Sequence, residues 1–216
     1  MTNQPVLTVL GRADSSNTQK VMWLLAEIDQ RCHRVDIGGK FGGNKEPAYL
    51  QKNPNGVVPT LIDTDTVVWE SNTILRYLSN RFERFDLYPR DSVQRAWVEG
   101  WMDWQLGTLG LVNAMLFRSV ARTPVDQRVP KVIEEHRDRN AKLFTVLDQA
   151  LEGREYLGGD ALTLADIALG PATYRWFELP IERPEYTNLR RWYDLLRQRS
   201  AFQEHVVGIG FGQPTL

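Results

Sequence analysis

The sequence predicts a small α/β domain at the amino terminus followed by an all-helical domain. Three observations carry this. Short β-prone runs alternate with helical periodicity as far as Leu78. The strand signals then stop, and from Ser92 onward apolar residues recur only at helical spacing. Between the two regions, a stretch ending in Leu87-Tyr88-Pro89-Arg90 reads as a linker. The expected division is residues 1–82, a linker at 83–91, and residues 92–216.

Val6 to Leu10 is the first strand, ended by Gly11. Thr18 to Ile28 carries Val21, Leu24, Leu25 and Ile28 on one helical face. Cys32 to Ile37 is a second strand. Gly38-Gly39 and Gly42-Gly43 flank Lys40-Phe41, which predicts a mobile loop. Glu46 to Gln51 is a short helix stopping before Asn53-Pro54. Pro59–Ile62 and Val67–Trp69 are two strands joined by the polar turn Asp63-Thr64-Asp65, close enough for a hairpin. Ser71 opens a helix carrying Ile74, Leu75 and Leu78. The order β-α-β-α-β-β-α, with a parallel first β-α-β unit, is that of a thioredoxin-like domain.

The second domain starts with a long helical segment from Gln94 to Leu116, and Val129 to Leu151 is another. Gly158-Gly159 interrupts the pattern before a helix from Thr163. Glu185 to Arg199 forms the last, with Leu189, Trp192, Tyr193 and Leu196 on one face. Thr163-Leu164-Ala165-Asp166 has the spacing of a capping box, with Leu162 and Ile167 placed as its hydrophobic staple. Asp166 is therefore expected to be structural.

Composition narrows the function. The chain has 216 residues, 42% hydrophobic and 25% charged, with a net charge of −1. It is long enough to bury a core without disulfides, and it lacks the basic field of a nucleic-acid binder. Its only cysteine is Cys32, so no internal disulfide forms. No apolar run approaches the ~20 residues of a membrane span, and Met1 to Pro5 lacks secretion-signal features. These readings predict a cytoplasmic protein with a small or peptidic partner and no membrane. His33, His136 and His205 are scattered, so no metal site is expected.

The stretch Asn53-Pro54-Asn55-Gly56-Val57-Val58-Pro59-Thr60-Leu61 is the most informative. A cis bond before Pro59 would turn the Val58 backbone outward, where an extended peptide ligand can pair with it as an added strand. Glu70 offers a carboxylate for a ligand ammonium. Ser71, read as a helix cap, leaves later N–H groups for a ligand carboxylate. Lys40 and Lys45 offer cations for a second carboxylate. Ser15-Ser16-Asn17 sits at the start of the first helix, where unpaired N–H groups favour an anion such as a thiolate. Ser15 is the first candidate to donate a hydrogen bond to sulfur, with Ser16 and Asn17 as alternates. Simple helix capping by these residues is the competing reading. Trp97, Trp101 and Trp104 form a stripe on one helix face, read as core or subunit interface, and Asp103 lies among them.

With these residues laid out, the chain resembles the glutathione S-transferase superfamily, in particular its bacterial theta-like and beta-like members. The motifs are Asn-Pro-x-Gly-x-Val-Pro-x-Leu at 53–61, Glu70-Ser71-Asn72-Thr73-Ile74-Leu75-Arg76-Tyr77-Leu78, and the Thr163 to Asp166 box. The resemblance implies glutathione as co-substrate, paired with the Val58 backbone beside a cis Pro59. It implies that Glu70 and Ser71 hold the γ-glutamyl end, and that Lys45 and Lys40 face the glycine carboxylate. Ser15, with Asn17, would activate the thiol. A homodimer is implied, in which Asp103 reaches the partner's glutathione. The expected reaction joins the thiolate to a small apolar electrophile. Alternatives are a glutathione-dependent reductase, an isomerase, or a non-enzymatic ligand-binding protein. Phe117 and Trp176 are expected as walls of the electrophile pocket, with Gly208 to Leu216 either its cover or a disordered tail.

Overall fold

The computed structural model describes residues 7–212. β1 (Leu7–Leu10) pairs in parallel with β2 (Cys32–Val35), with Leu7 opposite Cys32 and Leu10 opposite Val35. β3 (Thr60–Asp63) runs antiparallel to β1, and β4 (Thr66–Trp69) antiparallel to β3, so the sheet order is β2-β1-β3-β4. The hairpin of the last two strands forms as its short polar turn predicts. Val6, expected in the first strand, lies outside the described residues.

α1 (Ser16–Glu27) and α3 (Ser71–Arg81) cover the sheet, and α2 (Pro47–Leu50) leads into the turn before β3. The glycine-rich segment after β2 carries a single helical turn at Gly39–Phe41. The segment 83–91 holds neither helix nor strand. It is more than a tether, because Leu87 and Tyr88 are buried and Leu87 C=O accepts from Leu164 N–H at 2.9 Å.

The helical region is α4 (Ser92–Trp104), α5 (Gly110–Phe117), α6 (Pro130–Ala150), α7 (Leu164–Glu178), α8 (Thr187–Arg197) and the short α9 (Ser200–Phe202). The expected long helix from Gln94 to Leu116 is continuous in course but widens into a π turn at Gln105–Leu109. π turns of this kind cluster at functional sites. A second follows at Arg118–Arg122.

One apolar cluster joins both regions, from Val9, Leu24, Leu61 and Leu75 to Phe144, Ile167 and Trp192. The seam between α1 and α7 depends on a close approach. A Cβ on Gly170 would lie 2.5 Å from the Trp23 ring, so only glycine admits the indole. Trp23 also meets Phe202 edge-on at 4.7 Å. Its indole N–H donates to Glu27, which in turn accepts two 2.7 Å bonds from Arg199.

Asp166 is structural, as its spacing predicts. It is fully buried and accepts from the N–H groups of Leu157 and Thr163, the Thr163 hydroxyl and the Trp192 indole, all within 2.8–2.9 Å. Leu162 and Ile167 are buried beside it.

Candidate functional site

The Val58-Pro59 bond is cis. Among the described residues, neither the N–H nor the C=O of Val58 makes a hydrogen bond, although Val58 lies directly before β3. The turn is held from below. Asn53 Nδ2 donates to Val57 C=O at 2.8 Å and Thr60 Oγ1 at 3.1 Å, and the Tyr49 hydroxyl donates to Val57 C=O at 2.6 Å. Both side chains are buried. The role of Tyr49 and Asn53 was not legible in sequence, because it depends on α2 folding under the turn.

Glu70 occupies the cap position of α3 and Ser71 is its first helical residue, which corrects the reading of Ser71 as the cap. Glu70 has φ 69°, a left-handed conformation that costs a non-glycine residue about 1–3 kcal/mol and clusters at ligand sites. Its side chain makes no cap bond. Ser71 is buried, and its Oγ accepts from Lys20 Nζ at 3.4 Å.

Lys20 is a residue that the sequence pattern conceals. It falls within the helical run of α1 yet is only 1% exposed. Its Nζ also donates to Asn72 Oδ1 at 3.3 Å and to Gln105 Oε1 at 2.6 Å. Asn72 Nδ2 continues to Met102 C=O at 2.7 Å. Burial and the nearby Arg175 charge lower the Lys20 pKa to about 7, against the opposing pull of Glu70. This network ties α1, α3 and the first π turn together beneath Glu70-Ser71.

Ser15 sits at the cap position of α1 with extended backbone angles, and it is buried to 7% exposure. Its hydroxyl makes no cap bond, so capping does not occupy it. Ser16 and Asn17 are half-buried and line a cleft of about 230 Å³ with Lys20, Gln105 and Arg175.

Cations surround this cleft. Asp14 accepts from Arg12 at 2.5 Å and from Arg122 at 2.9 Å. Burial pushes its carboxyl pKa up, but the two guanidiniums outweigh burial and hold it below the ordinary 3.8. Arg122 also donates to Phe211 C=O, and Gln19 Nε2 to Gly210 C=O, so the described part of the tail packs over the start of α1. The tail residues 213–216 lie outside the described residues.

Other expectations fare differently. Phe117 lies next to the cleft, with the Arg175 guanidinium 4.0 Å from its ring centre and Phe211 edge-on at 5.5 Å. Trp176 is not a pocket wall. It points from α7 into the core, fully buried and stacked on Phe144 at 4.8 Å. Asp103 is exposed and pairs with Arg76 at 2.6 Å. The tryptophan stripe forms edge-to-face contacts, with Trp97 43% exposed. Lys40 and Lys45 are exposed, and Lys45 Nζ donates to Asn55 C=O at 3.4 Å, next to the cis turn. Cys32 lies on the edge strand β2 against Met22, and burial raises its thiol pKa. No group of three metal-ligating side chains occurs among the described residues, and no described helix is long and apolar enough to cross a membrane.

Known proteins share this arrangement. The glutathione S-transferase N-terminal domain family matches residues 5–80, and the corresponding C-terminal domain family matches residues 112–199. Glutathione S-transferase GstB of Escherichia coli K12 is 33% identical over 94% of this chain and 98% of its own. The disulfide-bond oxidoreductase YfcG of the same organism is 30% identical over 93% of this chain and 94% of its own. A theta-class glutathione S-transferase of Xanthomonas axonopodis pv. citri, solved with glutathione bound, superposes with a TM-score of 0.92. It is 42% identical, and the match covers 96% of this chain and all of that one.

Proposed function

The chain belongs to the glutathione S-transferase family and uses glutathione as co-substrate; we propose that it joins the thiolate to a small, largely apolar electrophile in the cleft beside α1. The observation that carries the site assignment is the unpaired backbone of Val58 before cis Pro59. The cysteinyl part of glutathione docks there as an added strand. Its γ-glutamyl end lies at Glu70 and Ser71, the carboxylate of Glu70 meeting the ammonium. Lys45, aided by Lys40, takes the glycine carboxylate.

This placement brings the thiol to the start of α1. Ser15 donates to sulfur, and the unpaired N–H groups of the first turn add their partial positive charge. Ser16 and Asn17 stand next to it, and Asn17 contributes an amide donor. The ionised sulfur attacks the electrophilic carbon, a C–S bond forms, and the leaving group departs with its electron pair. The thiol proton goes to solvent. The protein contributes position and stabilisation of the anion.

The reductase alternative needs a thiolate nucleophile at the head of α1. Ser15 occupies that place, and Cys32 is remote in sequence with its thiol held neutral by burial. We further propose a cytoplasmic homodimer. Exposed Val93 and Trp97 on α4 and Trp69 on β4 supply apolar surface for a second copy, and the Arg76–Asp103 pair links α3 to α4. Light scattering on the purified protein reads the assembly directly.

Calorimetric titration with glutathione tests the site. One molecule bound per chain, weakened by Glu70→Gln, is expected. Absence of binding at millimolar concentration would favour a non-enzymatic role.

A further inference from the structure

Arg175 on α7 is the one cation of the cleft left without an acceptor. Among the described residues its guanidinium makes no hydrogen bond and no ion pair, and its only described partner is the face of Phe117. The neighbouring cations are engaged. Arg12 and Arg122 share Asp14, and Lys20 has three acceptors. Asn113 has also committed its amide, to Asn140 and Ala172. A guanidinium carries five donors, and those of Arg175, half-buried in the cleft wall, are open to a ligand. Burial, with Arg12 and Arg122 nearby, lowers its pKa to about 9, against the opposing charge of Asp14, so it remains charged at neutral pH.

The rest of the cleft is suited to a short molecule. Its volume is about 230 Å³, and Leu106, Leu111, Ala114 and Ala172 line it along with Ser16 and Asn17. An apolar body fits between these walls, and a negative end meets Arg175.

We propose that this cleft is an anion-accepting subsite in which Arg175 takes the carboxylate of a short electrophilic acid, the second substrate. The inference rests on the transferase reading above and goes beyond it by naming the chemical class of the electrophile. For a chloroaryl acid, sulfur bonds to the ring carbon, the C–Cl bond breaks, and chloride leaves with the electron pair. The carboxylate is unchanged, and it orients the ring through two parallel hydrogen bonds.

The test uses a matched pair, 4-chloro-3-nitrobenzoate and its carboxamide, together with their preformed glutathione conjugates. Calorimetry with the conjugates reads binding without turnover. The acid conjugate is expected to bind the wild-type chain about tenfold to a hundredfold tighter than the amide conjugate, the range of one charge-assisted contact. Arg175→Met should abolish the difference while leaving the amide conjugate's affinity in place, which also shows that the variant folds. Turnover of the acid over the amide should follow the same pattern. Equal affinities in the wild type, or a preference that survives Arg175→Met, would overturn the subsite and leave the transferase reading intact. Failure of both conjugates to bind would overturn both.

Discussion

Lys20 Nζ donates to Gln105 Oε1 across 2.6 Å, so a buried charge on the first helix reaches the π turn that follows α4. Folding lowers the Lys20 pKa from 10.5 to about 7, through burial first and Arg175 second. Below pH ~7 both folded and unfolded chains hold the proton, and the cost of burying the charge is fully present. Between ~7 and ~10 the folded chain has shed a proton that the unfolded chain still binds, so stability rises with pH. Urea denaturation of wild type and Lys20→Met should show the wild type gaining on the variant across that window, by on the order of a few kcal/mol. Curves that stay parallel would mean that Lys20 titrates normally.

Ser15→Ala should lower turnover with 1-chloro-2,4-dinitrobenzene by about tenfold to a hundredfold, the effect of losing one hydrogen bond to an anion. Glutathione affinity should change by no more than about threefold, because the Val58 and Glu70 contacts remain. Steady-state kinetics alongside calorimetry separates the two. Unchanged turnover would move the role to Asn17 or Ser16.

Asn53→Ala removes the amide that holds Val57 and Thr60 around the cis bond. The expected result is weaker glutathione binding by about tenfold, with a stability loss of about 1–3 kcal/mol from the two lost bonds and the cavity, the Tyr49 hydroxyl alone still donating to Val57 C=O. Tyr49→Phe should act in the same direction but less, since it removes only a hydroxyl, leaves the ring in place and keeps the Asn53 bond to Val57 C=O. Calorimetry and denaturation midpoints check both effects.

Asp166→Ala strands four buried donors at once. A loss of about 3–5 kcal/mol is expected from breaking such a network. The readout is the denaturation midpoint, with glutathione affinity preserved under conditions where the variant is folded. A loss below about 1 kcal/mol would show that the capping box is dispensable.

Much of the fold was legible because it rests on local signals. The β-α-β-α-β-β-α order follows from alternating periodicities, and the Thr163–Asp166 box from spacing alone. The cis Pro59 turn could be read because valine, proline and a following strand sit next to each other in sequence. What was missed depends on helices meeting in space. Lys20 and Gln105 are 85 positions apart and look like ordinary helix-surface residues until α1 meets the π turn that follows α4. Arg175 lies beside Trp176, and which of the two faces the cleft is decided by the rotation of α7 against α1, which no spacing encodes. Ser71 has the composition of a cap, but Glu70, in a left-handed conformation rare for its type, takes that place.

The central claim is that the start of α1 stabilises the glutathione thiolate. Its most direct measurement is an ultraviolet titration of the thiolate in the binary complex against pH, in wild type and Ser15→Ala. Free thiols ionise near ~8.5. Bound to the wild type, the thiol should ionise at least about one pH unit lower, and Ser15→Ala should return it toward the free value. A bound thiol that titrates like free glutathione in both proteins would contradict the account.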